Sequence, residues 1–186
     1  MPQAPDIVVR PFEPSDASSF LAAVKASIPE LSSWMPWFTP NYGLADAQGW
    51  MSFCERAWRD KAEFPLGIFD GSSGQVIGGT GINQINKTHR VGNIGYWVST
   101  PCVGRGVATE AARRSAILGF EQLGFGRLEI VALTHNLASQ RVASRMGAVR
   151  EGVARNRLHF QGRPHDAVMF SLVPSDLTQT AGNYDG

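Results

Sequence analysis

Apolar and polar positions change period several times along the chain, and each change predicts an element. Ile7–Phe12 (IVVRPF) is a short β-branched run closed by Pro11 and predicts a first strand. EPSDASSFLAAVKASI predicts a helix. Phe20, Leu21 and Val24 form its apolar stripe, and Ser15 or Asp16 is placed to accept from the free amides of its first turn. PELSSWMPWFTPNYG is broken by prolines and a glycine and predicts loop or short helix. In LADAQGWMSFCERAWRDKAE, Trp50, Phe53, Cys54 and Trp58 recur at three- and four-residue spacing, which predicts a second helix.

The period then shortens. FPLGIFDGSSGQVIGGTGINQIN reads as two β runs around DGSSG, a hairpin signal, and RVGNIGYWVST as a third. A long helix is predicted from about Val107 to Leu123, ended by Gly124. Arg127–Thr134 (RLEIVALT) is a strand pattern, NLASQRVASRMGA a short helix ended by Gly147. VREGVARNRLHFQGRPHDAVMFSLVP reads as two antiparallel strands around QGRPHD. This order predicts a mixed α/β (α+β) domain with a mostly antiparallel first half, not the regular strand–helix alternation of a doubly wound fold. We expect one domain over residues 1–174 and a loose polar tail over 175–186.

The most informative stretch is GYWVSTPCVGRGVATEAARR. A strand pattern hands over to a helix through Gly104 and Gly106, with Arg105 between them. The first turn of a helix leaves amide groups unpaired and partly positive, and glycines let that backbone approach an anion closely. A plain tight turn would read the same. A phosphate loop of the GxxxxGK[ST] kind is excluded by the missing lysine. A dinucleotide fingerprint is weakened by Thr109 at its third glycine position and by Glu129, the acid about 20 residues on, inside the next strand.

Composition narrows the partners. With 17 Lys and Arg against 16 Asp and Glu, the formal net charge is +1, which argues against nucleic acid as the main partner. No apolar run approaches the roughly 20 residues of a membrane span, and MPQAPDIVVR lacks the apolar core of a signal peptide. The two cysteines, Cys54 and Cys102, form no ligand cluster with the four histidines. We expect reduced thiols, a cytoplasmic protein and no metal.

VGRGVATEA, followed by THNLASQRVASRMGAVREGVARN and closed by EGVARNRLHFQGRPHDAVMFSL, resembles the GNAT acetyltransferase superfamily. The similarity is strongest to the branch of ribosomal-protein N-terminal acetyltransferases, and it spans nearly the whole chain. It implies a GNAT-like sheet with a splayed parallel strand pair, here Ile94–Ser99 and Leu128–Leu133, and flanking helices. It also implies acetyl-CoA as co-substrate. The pyrophosphate loop would be Val103, Gly104, Arg105, Gly106, Val107 and Ala108, with Val103 departing from the family's Gln or Arg. Free backbone groups of Trp97, Val98 and Ser99 would pair with the pantetheine arm as a missing strand would. Attack by a primary amine would give a tetrahedral intermediate, with the amide near Val98 as oxyanion donor.

The resemblance implies Ser139 as the acid that serves the leaving thiolate and Asn136 as a cofactor contact. From the residues alone, Asn136 is equally an N-cap and Ser139 a first-turn residue. Asn93 stands where many relatives carry a glutamate, and an amide is no base. Glu151, Asp166, His89 and His165 are the other titratable candidates, the two acids being equally readable as partners of arginines. On the acceptor side, Trp34, Met35, Trp37 and Phe38 are either a lid on the core or an aromatic wall for an amine, with Trp34 and Trp37 as substrate contacts. Arg155, Arg157 and Arg163 face either solvent or an acidic acceptor. Trp50 and Trp58 belong either to core or to a homodimer face. The leading expectation is an N-acetyltransferase acting on a small-molecule amine or a protein N-terminus, without nucleic acid or membrane. The alternatives are a non-catalytic acyl-CoA-binding module and a nucleotide-binding protein.

Overall fold

A computed structural model describes residues 5–35 and 38–177 of the chain. The elements are β1 (Ile7–Arg10), a 3-10 turn (Pro14–Asp16), α1 (Ala17–Lys25), α2 (Ile28–Leu31), α3 (Leu44–Arg59), β2 (Phe64–Asp70), β3 (Val76–Asn86) and β4 (Val91–Val98). A second 3-10 turn (Thr100–Cys102) leads to α4 (Val107–Glu121), β5 (Arg127–Leu133), α5 (Leu137–Arg145), β6 (Val149–Phe160) and β7 (Arg163–Leu172). The sheet has seven strands in the order β1-β2-β3-β4-β5-β7-β6. β1 with β2, β2 with β3, β5 with β7 and β6 with β7 are antiparallel. β4 and β5 are parallel, in register at Val91↔Arg127, Gly92↔Leu128 and Asn93↔Glu129. This is the mixed, mostly antiparallel α/β sheet with one parallel pair and flanking helices that the sequence pattern predicts.

The described residues fall into two compact units. One lies within Met1–Asn83 and Gly95–Ala112, the other within Gln84–Ile94 and Arg113–Gly186. In the first unit, α1 and α3 lay their apolar stripes against one another around Phe20, which is 1% exposed. Its ring centroid lies 5.5 Å from that of Phe12, 5.8 Å from Trp97, 6.3 Å from Trp50, 6.4 Å from Phe38 and 6.5 Å from Tyr42. Trp50, a candidate for a dimer face, thus stacks on the core. Trp58 donates Nε1–H to the Pro65 carbonyl at 2.7 Å and packs edge-on against Phe64. Helix entry differs from the expected cap of α1. Asp16 closes the preceding turn, accepting from Glu13 N–H at 2.7 Å and from both terminal nitrogens of Arg10.

Two glycines of β3 exist because β4 comes too close for anything larger. A Cβ on Gly78 would sit 2.4 Å from the Trp97 carbonyl oxygen, and one on Gly79 2.6 Å from the indole Nε1 of Trp97.

In the second unit, β7 lies between β5 and β6, and Ile94, Leu128, Ile130, Met146, Phe170 and Leu172 are the fully buried large side chains among its described residues. β6 and β7 join through Gln161 and Gly162, at φ 48° and 76°, the two left-handed residues of a tight hairpin. Residues 174–177 form a helical turn, with Asp176 accepting from Val173 N–H at 2.8 Å, so the start of the expected tail is helical. The remainder of that tail, 178–186, lies outside the described residues. Among the described residues no helix is long and apolar enough to cross a membrane.

Truncating the residue that all five rings share leaves a cavity the core cannot close. Phe20→Ala should therefore cost about 3–5 kcal/mol, read as a lower denaturation midpoint at unchanged m-value.

Candidate active site

In the first unit, β4 ends at Val98 and the chain enters the glycine turn under tight control. Ser99, 5% exposed, donates its N–H to the Ile77 carbonyl at 2.8 Å. Thr100 N–H donates to the hydroxyl of buried Ser27 at 2.9 Å, and that hydroxyl donates to the Ala23 carbonyl. The Ser99 amide, expected to be free, is therefore committed to β3. Strand alternation turns the amide of Val98 to the opposite edge. The indole of Trp97 is packed on Phe20 and Phe38, and the same alternation turns its backbone toward β3, where its carbonyl faces Gly78, so the strand end offers Val98 as its backbone contact.

Val103, Gly104, Arg105 and Gly106 are all exposed, Val103 by 65%. Gly104 and Gly106 have φ of 81° and 78°, the left-handed region that glycine occupies without penalty. A Cβ built on either meets no atom within 4 Å. Backbone conformation, not internal packing, demands glycine here, and the space over the turn stays open for a ligand. Gly106 begins α4 by accepting Glu110 N–H at 3.1 Å. Val107 is buried against Ile7, Ile68 and Ala111 and pins the helix start, while Ala108 is half-buried. The amides of this first turn carry the partial positive charge of a helix N-terminus. The residues present thus suit a pyrophosphate, held by backbone rather than by a side chain at position 103.

Beside the turn lies a cleft of about 370 Å³ lined by Pro5, Asp6, Asp70, Ser72, Ile77 and Arg105, among others. The Ser73 amide and the Ser72 and Ser73 hydroxyls hold the Asp70 carboxyl down at about 2. Two carboxylates, Asp6 and Asp70, make this cleft unsuited to a polyphosphate.

The expected aromatic wall divides. Phe38 is 4% exposed and joins Tyr42, Phe20 and Trp97, and Met35 packs against the same cluster. Trp34 is 38% exposed on the turn after α2. Trp37 lies outside the described residues. Burial pushes the Tyr42 hydroxyl up to about 12, so it stays protonated at neutral pH. Tyr42 lay in the quoted loop without a role. Only its spacing from the helix that follows could have marked it as core.

In the second unit, Asn136 is the N-cap of α5, its Oδ1 accepting from Ser139 N–H at 3.0 Å. Both are half-buried. The capping reading is therefore what the structure displays, and it fixes Ser139 on the first turn of a helix that follows β5. Glu151 pairs with Arg127 in a fork, at 2.8 Å to Nη1 and 2.5 Å to Nη2, and accepts from the Ser171 hydroxyl at 2.9 Å. The guanidinium holds its carboxyl down to about 2, and the serine adds to this, so Glu151 is too weak a base for the reaction. Arg127 also donates to Glu129, the register neighbour of Asn93, at 3.0 Å. Asp166 accepts from Asn156 N–H at 2.9 Å, and His89 sits exposed on the turn between β3 and β4. His165 lies with its ring centroid 6.3 Å from that of His135, a residue sequence reasoning left out because the contact joins distant positions. Among the described residues no group of three or more His, Cys, Asp or Glu could hold a metal ion.

A mixed sheet with one parallel pair and a left-handed glycine turn opening a helix are the features that the resemblance to the GNAT acetyltransferases implies. Residues 6–149 match the acetyltransferase (GNAT) domain family, and the chain belongs to that family, as an N-acetyltransferase. It is similar to YdaF of Bacillus subtilis (strain 168), which carries a ribosomal N-acetyltransferase name. The identity is 30% over 170 residues, covering 90% of this chain and 91% of YdaF. Two solved structures share the fold. The microcin C7 self-immunity acetyltransferase MccE, in complex with acetyl-CoA and AMP, superposes with TM-score 0.82 at 20% identity, over 90% of this chain and 92% of MccE. Mycobacterium smegmatis RimJ, in complex with CoA-disulfide, gives 0.79 at 23% identity, over 95% of this chain and 89% of RimJ.

Gly106→Val should lower stability by about 1–2 kcal/mol through its left-handed backbone and remove acetyl-CoA binding. Chemical denaturation and calorimetric titration read the two effects separately, and retained affinity in the folded variant would exclude the turn as the cofactor seat. For Glu151, the folded value near 2 lies below the ordinary 4.5. Its stabilisation is complete above 4.5 and is lost as pH falls toward 2. Arg127→Gln should abolish this window and raise the midpoint pH of acid unfolding.

Proposed function

We propose that the chain transfers acetyl from acetyl-CoA to a primary amine, with a protein N-terminus as the first candidate acceptor. The observation that carries this reading is the pair of left-handed glycines under open space at the start of α4. Family membership supports acetyl-CoA as the ligand of that turn, and the ribosomal N-acetyltransferase name of YdaF favours a protein acceptor over a free amine.

In this reading the amides at the start of α4 hold the pyrophosphate, with Arg105 as an exposed cation beside it. The backbone of Val98 orients the pantetheine arm, with Trp97 beside it turned toward β3, and the Val98 amide donates to the oxygen that gains charge during attack. Acetyl-CoA supplies an acetyl group already activated as a thioester. As the C–S bond breaks, Ser139 donates its hydroxyl proton to the leaving sulfur and regains one, through water, from the nitrogen that has formed the amide bond, its place held by the bond between its own N–H and Asn136. Asn136 acts through this positioning and by contact with the arm. Trp34, and with it Trp37, belong to the acceptor side. The acyl-CoA-binding module without turnover is the reading this one displaces.

Calorimetric titration with acetyl-CoA, set against CoA, ATP and NAD, tests the donor site, and release of free CoA with an N-terminal peptide tests turnover. Ser139→Ala should lower kcat by about a hundredfold with little change in acetyl-CoA affinity. An unchanged rate would return Ser139 to the helix cap alone, and binding of ATP or NAD in preference to acetyl-CoA would overturn the function.

A further inference from the structure

Thr100 opens the turn between β4 and the glycines, and its N–H, carbonyl and hydroxyl are each engaged. The N–H donates to the Ser27 hydroxyl at 2.9 Å, the carbonyl accepts from Val103 N–H at 3.2 Å, and the hydroxyl donates to Glu30 Oε2 at 2.9 Å. The first two bonds fix the backbone that leads into Gly104 and Gly106. The third leaves the turn and reaches α2, 70 residues earlier in the chain.

α2 is a single turn, too short to be stable by itself, so its contacts decide where it lies. On its inner side Leu31 is buried in the Phe20 cluster and Ile28 packs against it. Ser27, fully buried, precedes it and accepts Leu31 N–H at its carbonyl at 2.8 Å. On the outer side Glu30 is exposed, and there it meets the Thr100 hydroxyl. The chain keeps turning after α2, because Trp34 and Met35 both donate N–H to the Leu31 carbonyl, at 2.9 and 2.6 Å. Met35 packs against the core and Trp34 stays exposed. Trp34 therefore stands about one helical turn beyond Glu30, and a contact that holds Glu30 also holds the segment that displays Trp34.

We propose that Thr100 is a positioning residue for the transfer. Its main chain shapes the glycine turn on the donor side, and its hydroxyl, through Glu30, holds α2 and Trp34 in a fixed relation to that turn on the acceptor side. The proposal rests on the reading above, in which the turn seats the cofactor and Trp34 belongs to the acceptor side. An exposed hydrogen bond adds little to folding, and the Ser27 bond and buried Leu31 already secure both segments. What the surface bond adds is direction. Two reactants held on separate segments react at a rate set by their alignment, so slack between the segments is felt in turnover before it is felt in stability. Serine at position 100 would keep the bond. Valine, with the shape of threonine and no hydroxyl, would not.

The test uses the full chain, a peptide with a free N-terminus as acceptor, and calorimetric titration of acetyl-CoA. Thr100→Val should lower kcat/KM for the peptide about fivefold, with acetyl-CoA affinity and denaturation midpoint unchanged. Thr100→Ser should restore the native value. Glu30→Ala should reproduce the valine variant, and the double variant E30A/T100V should lose no more than either alone, because both substitutions remove the same bond. An unchanged kcat/KM in Thr100→Val would overturn the proposal, as would losses that add in the double variant. A matching fall in acetyl-CoA affinity or in stability would also overturn it, by making the hydroxyl part of the donor seat or of the fold. A native protein that turns over no peptide removes the proposed function and this role together. A native protein that turns the peptide over, with the valine variant its equal, removes the role alone.

Discussion

Two hydrogen bonds, from Ser99 N–H to the Ile77 carbonyl and from Thr100 N–H to the Ser27 hydroxyl, determine where β4 stops and the glycine turn begins. Both are buried or half-buried, where an unmade bond costs about 1–3 kcal/mol, so the strand end has little freedom. Gly78 and Gly79 permit the close approach of β3 that the first bond requires. Beyond Thr100 the chain must reverse and start a helix, and Gly104 and Gly106 supply the left-handed residues for that reversal. Val107, buried among Ile7, Ile68 and Ala111, anchors the other end. An exposed turn is therefore held between two fixed points, which suits a seat for a ligand held by backbone amides.

Aromatic packing extends the same rigidity through the first unit. Phe20 receives Trp97 from β4, Phe12 and Trp50 from the elements beside α1, and Phe38 and Tyr42 from the linking loop. The loop that looked like a candidate wall for substrate is thus partly core. Trp34 remains exposed on the turn after α2, while Met35 and Phe38, which follow it, pack in Phe20's cluster.

Charge is distributed differently in the second unit. Arg127, Glu129, Glu151 and Ser171 satisfy one another across three strands, and such a network stabilises a sheet face but contributes little reactivity. Among the described residues Arg155, Arg157 and Arg163 form no ion pair, although they too lie on β6 and β7. The Glu151 carboxylate, open in the sequence as a base or as a partner of an arginine, is consumed as the partner of Arg127.

The sequence by itself determined the succession of elements, because apolar period and Gly/Pro punctuation are local properties. It also determined the glycine turn, because a left-handed backbone at a strand-to-helix junction leaves a readable mark at Gly104 and Gly106. It could not show that the Ser99 amide is spent on Ile77, that Glu151 is spent on Arg127, or that Asn136 spends Oδ1 on Ser139 N–H. Nor could it bring His135 beside His165, or gather five rings around Phe20. Each of these joins positions whose proximity depends on strand order, register and side-chain direction. Such quantities exist only once the chain is folded, and only the tertiary structure decides which polar groups remain available for chemistry.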